Sequence, residues 1–385
     1  MSWRAKQEPQ ALSRRFSRGW TMTTDRLRRK PVRWMATSGA VALIGMTAAG
    51  CKPVSHQPIA APLVSYQNSG TVVRLQAVAA VDDSVAWASG LHGTYIRTVD
   101  GGATWTPVVV NGADTLQFRD IAAFDSRTAY LLAAGYGSLS RIYKTTDGGA
   151  TWSLQFTNSD PRAFFDCMGF WDPSNGLAFG DAVSGEFVII RTTDGENWEP
   201  IPPDVVPDAT PGEGSFAASG MCLVTQGDST AWFGTGGSDS ARVFKTTNRG
   251  ESWSVVATPV VSGSSAGIAA LSFYDRLNGL AAGGDIGNAD TYSENAAQTS
   301  DGGLCWTLAG RPTFPGAIYG LASIHAAGTP ILLAAGPRGL DYSVDRGLTW
   351  ITLDTLEYWS IDIATPMAGW AVGPAGRIAK ILLQP

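Results

Sequence analysis

Two acidic residues in the middle of the chain have a spacing that could support chemistry. Asp166 lies at the start of one predicted strand, and Asp181 follows the end of the next. Two carboxylates brought together in this way could perform acid–base work or hold a cation. A simpler role is favoured, in which both side chains cap loops by accepting hydrogen bonds from backbone N–H groups. No catalytic residue is therefore predicted.

Other catalytic arrangements lack the residue types or the spacing that they need. The histidines are His56, His92 and His325, and the last two are expected on opposite faces, which argues against a Ser-His-Asp triad. Residues 263–267 (GSSAG) match G-x-S-x-G in letters only, because no strand-turn-helix pattern surrounds them. No G-x-G-x-x-G motif opens a helix, so dinucleotide binding is not indicated either. The sequence predicts no cofactor.

One acidic insertion has the composition of a calcium loop without its spacing. It contains Asp285, Asp290 and Glu294, which do not follow the D-x-D-x-D-G pattern. A solvated loop is therefore expected here, and no metal site is predicted.

The cysteines favour packing over redox or metal chemistry. Cys167, Cys222 and Cys305 follow Cys51, and no C-x-x-C motif occurs. Buried packing is expected for all three. A disulfide between Cys167 and Cys222 stays open, because both could lie on inner strands in an oxidising compartment.

The N-terminal region has the pattern of an export signal. Residues 1–34 hold ten basic and two acidic residues, which leaves a net charge of −13 on the rest of the chain. An apolar run, 35–50, follows and is short for a membrane span. We predict a signal peptide at 1–50, with translation starting at Met1 or Met22. The acidic remainder, which has no basic stripe, argues against nucleic acid as a partner.

Residues 47–51 (TAAGC) resemble the lipobox of bacterial lipoproteins, in which the cysteine is acylated and becomes the new N-terminus. Members of that class usually have Leu where this chain has Ala48. Cys51 is the predicted lipidation site, and 51–66 is the predicted Pro-rich tether. A plain signal peptide and an uncleaved anchor are the alternatives.

A short motif recurs six times and sets the architecture. Its acidic or amide positions are spaced by 47, 47, 54, 53 and 44 residues, a period typical of one four-stranded propeller blade. In each copy the acidic or amide side chain should accept hydrogen bonds from backbone N–H groups of a turn, the Gly should adopt a positive φ, and the Trp ring should pack inward. The paired positions are Asp100 and Trp105, Asp147 and Trp152, Asp194 and Trp198, Asn248 and Trp253, Asp301 and Trp306, and Asp345 and Trp350.

A second motif precedes each of these turns and occurs once more near the C-terminus. It combines apolar strands with a glycine turn, and its seventh copy spans 369–381. We therefore predict an all-β, seven-bladed propeller of four-stranded antiparallel blades over 67–385. A strand within 63–75 should pair with 378–382 and close the ring. Six blades with an additional hairpin form the alternative.

The repeats match the Asp-box, also called the BNR repeat, and the chain resembles the photosystem II stability/assembly factor family and its non-photosynthetic bacterial relatives. This resemblance implies a seven-bladed propeller with a binding or assembly role. Asp-boxes also occur in sialidases, so a glycoside hydrolase acting on glycans is the alternative. A sialidase would need converging arginines, for which Arg119, Arg162, Arg311 and Arg338 are available, but no F-R-I-P strand occurs.

Loops on the face opposite the Asp-boxes are the predicted binding surface. The insertions 200–220 and 283–297 should shape a pocket there. The predicted ligand-binding residues are Arg119, Arg162, Phe165, Asp166, Asp181, Glu213, Asp285, Tyr319, Arg338 and Tyr358.

Together these patterns favour an exported, lipid-anchored binding or assembly scaffold in the cell envelope or periplasm. Its expected partner is an envelope protein, and a glycan is the alternative ligand.

Overall fold

The computed structural model describes residues 60–326 and 328–383, which form seven four-stranded antiparallel sheets around one axis. The predicted signal peptide and Cys51 lie outside the described residues. Short 3-10 helices occur at Gly137–Leu139, Pro203–Val205 and Pro374–Gly376. The all-β, seven-bladed architecture predicted from the repeats is confirmed.

Blades 1 to 6 hold their four strands in chain order, and the first strand of each lies nearest the axis. The N-terminal strand is β1 (Leu63–Gln67). Blade 1 is β2 (Leu75–Ala80), β3 (Ala86–Gly90), β4 (Thr94–Thr98) and β5 (Thr106–Val109). Blade 2 is β6 (Phe118–Ala123), β7 (Ala129–Ala133), β8 (Arg141–Thr145) and β9 (Ser153–Thr157). Blade 3 is β10 (Phe165–Asp172), β11 (Asn175–Val183), β12 (Glu186–Thr192) and β13 (Glu199–Pro200).

The remaining blades follow the same order except for the last. Blade 4 is β14 (Leu223–Gln226), β15 (Thr230–Gly234), β16 (Arg242–Thr246) and β17 (Ser254–Ala257). Blade 5 is β18 (Ala266–Phe273), β19 (Gly279–Asp285), β20 (Ala296–Thr299) and β21 (Thr307–Leu308). Blade 6 is β22 (Gly320–Ala326), β23 (Thr329–Gly336), β24 (Gly339–Ser343) and β25 (Ile351–Asp354). Blade 7 is β26 (Ser360–Thr365), β27 (Ala368–Val372) and β28 (Ile378–Leu382), completed by β1.

Packing between neighbouring blades explains the distribution of apolar residues. Strands such as β3 and β7 are buried along their whole length, because both of their faces are covered by adjacent sheets. The fourth strands lie at the rim, and β5 is exposed at every position. The first strands contact one another in cyclic order, β2, β6, β10, β14, β18, β22, β26 and back to β2. The buried core is therefore a continuous ring.

The two ends of the described chain meet in blade 7. β1 pairs with β28 from Leu63 against Leu382 to Gln67 against Ile378. The propeller thus begins at Leu63, inside the segment predicted as tether, because these residues are needed as the fourth strand of the last blade. The predicted closure by the N-terminal strand is present.

The recurring turns join the third strand to the fourth in six blades. In the first copy, Asp100 Oδ1 accepts a hydrogen bond from the Thr104 N–H (2.9 Å), and Thr98 Oγ1 accepts one from the Gly102 N–H (2.9 Å). Gly102 has φ +86°, which disfavours any residue with a Cβ. Hydrogen bonds from Thr104 lower the pKa of Asp100 to about 2. The carboxylate therefore acts as an ionised turn staple.

The shorter third copy holds its turn with the same carboxylate chemistry. Asp194 Oδ1 accepts hydrogen bonds from the N–H groups of Glu196 and Asn197, both at 2.8 Å. In the fourth copy, Asn248 Oδ1 accepts from the Ser252 N–H at 3.0 Å. An amide oxygen thus replaces the carboxylate without loss of the backbone contact.

Gln67 connects the closing strand to blade 1 and to another strand of its own blade. Its Oε1 accepts hydrogen bonds from Nε1 of Trp105 (3.0 Å) and Nε1 of Trp370 (3.1 Å), and its Nε2 donates to the Gly101 carbonyl (3.3 Å). The two indole rings meet edge to face at 6.2 Å. One amide therefore ties β1 to the turn of blade 1 and to β27.

We predict that Gln67→Ala lowers the free energy of unfolding by about 2–4 kcal/mol, because it leaves two indole N–H groups without a partner. Urea unfolding followed by tryptophan fluorescence measures this change. Asn111→Ala, at an exposed loop position, is the matched control and should change stability by less than about 0.5 kcal/mol. Equal effects of the two substitutions would contradict the role given to Gln67.

Candidate functional site

The strand directions assign every loop to one of two faces. The turns between third and fourth strands share a face with the turns between first and second strands. The loops between second and third strands, and the connections between blades, lie on the other face, which we call the loop face. All ten predicted ligand-binding residues belong to segments at or near this face.

A pocket of about 390 Å³ opens on the loop face at the propeller axis, and we call it the axial cup. Its position follows from residues such as Arg119, Asp166, Tyr319 and Trp359, which stand at the beginning of first strands or just before them. The lining residues are Arg119, Tyr136, Phe164, Asp166, Asp181, Ser215, Phe216, Ala217, Ala218, Ile286, Tyr319 and Trp359.

The floor of the axial cup comes from the predicted insertion before blade 4. Residues 216–221, which we call the axial segment, cross the axis and contact four other blades. The Ala217 carbonyl accepts from Arg119 Nη1 (3.0 Å) in blade 2, and the Met221 carbonyl accepts from the Leu271 N–H (2.9 Å) in blade 5. Ser219 donates its hydroxyl to the Tyr319 carbonyl at 2.5 Å. The segment is thereby fixed from several sides.

Gly220 is the point at which the axial segment requires glycine. Its φ is +77°, and a Cβ there would lie 2.1 Å from Asp120 Oδ1. Asp120 is itself buried on β6, where its Oδ2 accepts from the Met168 N–H at 2.6 Å. Any larger residue at 220 would displace the segment or this carboxylate.

Two long-range links anchor the insertion. Cys167 on β10 is disulfide-bonded to Cys222, which follows the axial segment; their Cα atoms are 5.9 Å apart and neither side chain is exposed. The pairing that the sequence left open is therefore present, whereas the buried packing expected for Cys305 is wrong, because that cysteine is exposed. Glu213 is buried and forms an ion pair with Arg242. It also accepts from the Thr235 hydroxyl at 2.6 Å.

The two predicted carboxylates lie together in the wall of the axial cup. Asp181 Oδ1 accepts from the Ser215 N–H at 2.8 Å, which is the loop-capping role expected of it. Asp166 is only 1% exposed, and its Oδ2 has no hydrogen-bond partner among the described residues. Burial raises the pKa of Asp166 well above its ordinary value, and the charge of Asp181 raises it further while Arg119 opposes the shift. Burial also raises the pKa of Asp181.

Arg119 faces the axial cup, but neutral groups already hold its guanidinium. Nε and Nη2 donate to Gln117 Oε1 at 3.3 and 3.0 Å, and Nη1 donates to the Ala217 carbonyl. The ion pairs of the described residues do not include one between Arg119 and Asp166. Burial lowers the pKa of Arg119, and the nearby charge of Arg74 lowers it further.

Aromatic and basic residues that sequence reasoning placed outside the predicted set complete the site. Arg74 stacks over Trp359, with its guanidinium carbon 4.3 Å from the ring centroid. Trp359 in turn packs on Tyr319 at 5.2 Å. Tyr136 and Ile286 are 63% and 41% exposed, so the rim is open and partly apolar. The available signal was their place in loops of the loop face, with Arg74 and Trp359 just before first strands and Tyr136 and Ile286 just after second strands.

Three predicted residues are used elsewhere on the loop face. Arg162 points to solvent and pairs with Asp160 at 2.8 Å. Arg338 pairs with Asp290 at 2.9 Å. Asp285 accepts hydrogen bonds from the Ser265 hydroxyl (2.7 Å) and from the Gly287 N–H (2.9 Å). Each of these three side chains therefore already has a nearby polar partner outside the axial cup.

The other predicted residues outside the cup are buried within the fold. Phe165 packs against Phe156 with ring centroids 5.4 Å apart. Tyr358 is fully buried and donates its hydroxyl to Asp354 at 2.5 Å. The carboxylate of Glu213 is occupied by its ion pair with Arg242. These three residues position neighbouring loops and do not face the cup.

The arginines considered for a glycosidase centre do not converge. Arg119 alone among the four lines the axial cup, and Arg311 lies over the Tyr292 ring at 5.9 Å. Within residues 60–326 and 328–383, no group of three or more His, Cys, Asp or Glu side chains could hold a metal ion. The same residues contain no helix with the length and apolarity to cross a membrane.

The raised pKa of Asp166 has a consequence for stability. The stabilisation that depends on its bound proton is complete below the unfolded value near 3.8 and is lost as pH rises through the folded-state pKa. Asp166→Asn cannot ionise, so its advantage in unfolding free energy over the wild type should grow from near zero at pH 4 as the pH rises to 8. Urea unfolding at pH 4, 6 and 8 measures this difference.

Asp114→Asn, at an exposed position on the loop face, is the control and should show no such growth. A constant difference between Asp166→Asn and wild type over this range would mean that folding leaves the pKa of Asp166 unchanged.

Comparison with known proteins reveals relatives in structure only. No family model and no curated protein matches the sequence. The structure of YCF48 bound to D1 peptide is similar with a TM-score of 0.58 and 16% identity, covering 84% of this chain and 97% of that one. YCF48 from Cyanidioschyzon merolae gives 0.58 and 15%, covering 83% and 98%.

A glycoside hydrolase of Niastella koreensis, NkGH74, is more distant, with a TM-score of 0.49 and 16% identity over 80% of this chain and 43% of that one. This likeness supports no inference about glycan chemistry. The resemblance predicted from the repeats is confirmed at the level of the fold, and the chain is a seven-bladed β-propeller of the kind seen in the photosystem II assembly factor YCF48.

Proposed function

We propose that this protein is a binding scaffold that holds a segment of a protein partner in the axial cup. The observation that carries the proposal is the cup itself, an open pocket whose wall combines charged and aromatic residues from six blades and their connections. Binding pockets in proteins are commonly preformed, largely apolar and equipped with a few oriented polar groups. A volume near 390 Å³ suits a few side chains of an inserted peptide.

The rigidity of the site supports binding. The axial segment is hydrogen-bonded to several blades, and a disulfide fixes its C-terminal end. A preorganised floor lowers the entropy that is lost when a ligand is held. YCF48, which has a similar fold, has been captured with a D1 peptide, so this architecture can present a peptide site.

We also propose that the protein acts outside the cytoplasm, anchored through Cys51. The basic N-terminal region, the apolar run and the cysteine that follows it support export. The buried Cys167–Cys222 disulfide supports the same location, because structural disulfides persist in oxidising compartments. In this setting the tether holds the propeller near the membrane, where its partners are envelope proteins.

We predict that a photoreactive benzoylphenylalanine at position 136 crosslinks to one envelope protein in living cells. Phe216→Ala should reduce the yield about tenfold or more, because aromatic anchors at the centre of an interface dominate its affinity. Mass spectrometry identifies the crosslinked segment, and immunoblotting gives the yield.

The matched control places the same photoreactive residue at position 304, an exposed leucine in a turn on the opposite face. Capture of the same protein with equal yield from both faces, insensitive to Phe216→Ala, would refute the cup as the binding site.

We predict that Cys51→Ser moves the protein from the membrane fraction to the soluble fraction. The acyl chains supply the membrane affinity, because each buried methylene contributes about 0.8 kcal/mol. Intact mass spectrometry should show a mature wild-type chain that begins at a lipid-modified Cys51. Cys305→Ser serves as the control and should remain at the membrane. A wild-type chain of unmodified mass in the soluble fraction would contradict lipidation.

A further inference from the structure

The polar residues of the axial cup are sorted by blade. Arg119, at the start of the first strand of blade 2, lines the cup, and Arg74, just before the first strand of blade 1, stacks over the lining residue Trp359. Asp166 and Asp181 come from blade 3. The rest of the wall is mainly aromatic or apolar. This part of the wall includes Phe216, Ala217, Ala218, Ile286, Tyr319 and Trp359. A bound segment thus meets a basic, an acidic and an apolar sector.

The acidic sector has an unused acceptor. A buried polar atom without a hydrogen bond is costly, and few are found in native proteins. Asp166 Oδ2 is such an atom, on a side chain that is 99% buried and lines the cup. The group that it lacks is a hydrogen-bond donor, and a positively charged donor gives the strongest bond to a carboxylate.

Arg119 does not fill this role. Its donors go to Gln117 and Ala217, and Arg74 is held over Trp359. A cation for the acidic sector therefore has to come from the ligand.

The surroundings of the two carboxylates suit the stem of such a cation. Phe216 directly follows Ser215, whose N–H binds Asp181, and the Phe164 carbonyl accepts from the Asp181 N–H at 2.9 Å. Both aromatic residues therefore stand beside the acidic sector and line the cup. Aromatic faces attract ammonium and guanidinium groups and also pack on the apolar stems that carry them.

We propose that Asp166 and Asp181 form the receptor for one cationic side chain, lysine or arginine, of the segment bound in the axial cup. This inference rests on the proposed scaffold function and names the chemistry of its partner. The arginines of blades 1 and 2 retain donors for backbone carbonyls of the same segment. A peptide with a central basic residue satisfies all three sectors of the wall.

Proton exchange accompanies this binding. Burial and the charge of Asp181 raise the pKa of Asp166, and a cation bound beside it would lower that pKa and favour release of a proton. Besides Asp181, the charged group that acts on Asp166 is Arg119, which is itself influenced by Arg74. Because Asp166 has to ionise, affinity for a cationic ligand should rise with pH up to the pKa of Asp166 in the free protein.

The test compares two blocked peptides, acetyl-Ala-Lys-Ala-amide and acetyl-Ala-norleucine-Ala-amide, which differ only in the terminal ammonium group. Titration of the mature protein, followed by NMR, measures both affinities at pH 6 and 8. We expect the lysine peptide to bind at least tenfold more tightly, with a larger preference at pH 8. This comparison uses the wild-type chain and needs no variant to fold.

Variants then place the preference at the acidic sector. Asp166→Asn should abolish the preference for lysine, and Asp166→Glu should restore part of it. Asp114→Asn, an exposed acidic position on the same face, should leave it unchanged. An equal preference for lysine in Asp166→Asn and wild type would overturn the inference.

Two outcomes separate this inference from the scaffold function. If both peptides bind equally and Phe216→Ala weakens both, the cup binds peptides without a cation receptor, and the inference is wrong while the scaffold stands. A second result would also contradict the inference and leave the scaffold function standing. In that result, acetyl-Ala-Ala-Ala with a free C-terminal carboxylate binds more tightly than the lysine peptide, and Arg119→Gln removes this advantage. If no peptide binds and position 136 crosslinks to nothing, both proposals are wrong.

Discussion

The backbone hydrogen bonds between β1 and β28 join the two ends of the propeller, and the geometry of the ring depends on them. Without β1, blade 7 would expose β28 as an unpaired edge. Gln67 extends this junction into side chains by accepting from the indoles of Trp105 and Trp370. Because the first strands contact one another in a closed cycle, an opening at blade 7 would allow all blades to move apart. The axial cup, which takes residues from most of them, needs a closed ring.

The axial segment adds a second constraint, directed across the ring. Ser219 and Met221 bond to blades 5, 6 and 7, while Ala217 bonds to blade 2. These polar contacts are buried, so each is worth more than a similar bond at the surface, and each would be costly to break. The Cys167–Cys222 disulfide ties the segment to the strand that carries Asp166. The position of the cup floor and the position of the acidic sector are consequently linked by covalent bonds.

Much of the fold could be predicted from the sequence because its information is local and repeated. A turn such as Thr98 to Trp105 forms its hydrogen bonds within a few residues, so its spacing alone indicates a blade. The site was less predictable. Asp166, Asp181, Arg119 and Tyr319 were found by their place at strand ends.

Glu213 illustrates why the remaining site predictions failed to reach the cup. Its ion-pair partner, Arg242, is 29 residues away on β16, whereas Glu213 lies in the insertion before blade 4. Only the packed structure shows that this carboxylate is already used. The same limit applies to Phe216. Its role depends on the axial segment crossing the axis, and no local sequence pattern predicts that path.

The aspartates of the turns and those of the axial cup show how one residue type acquires two roles. Asp100 is exposed, accepts hydrogen bonds from Thr104, and its pKa falls to about 2. Asp166 is buried beside another carboxylate, and its pKa rises. The first environment favours the charged form and makes the residue a permanent turn staple. The second disfavours the charged form and leaves Oδ2 of Asp166 without a hydrogen-bond partner, a deficit that a positive group of a ligand would relieve.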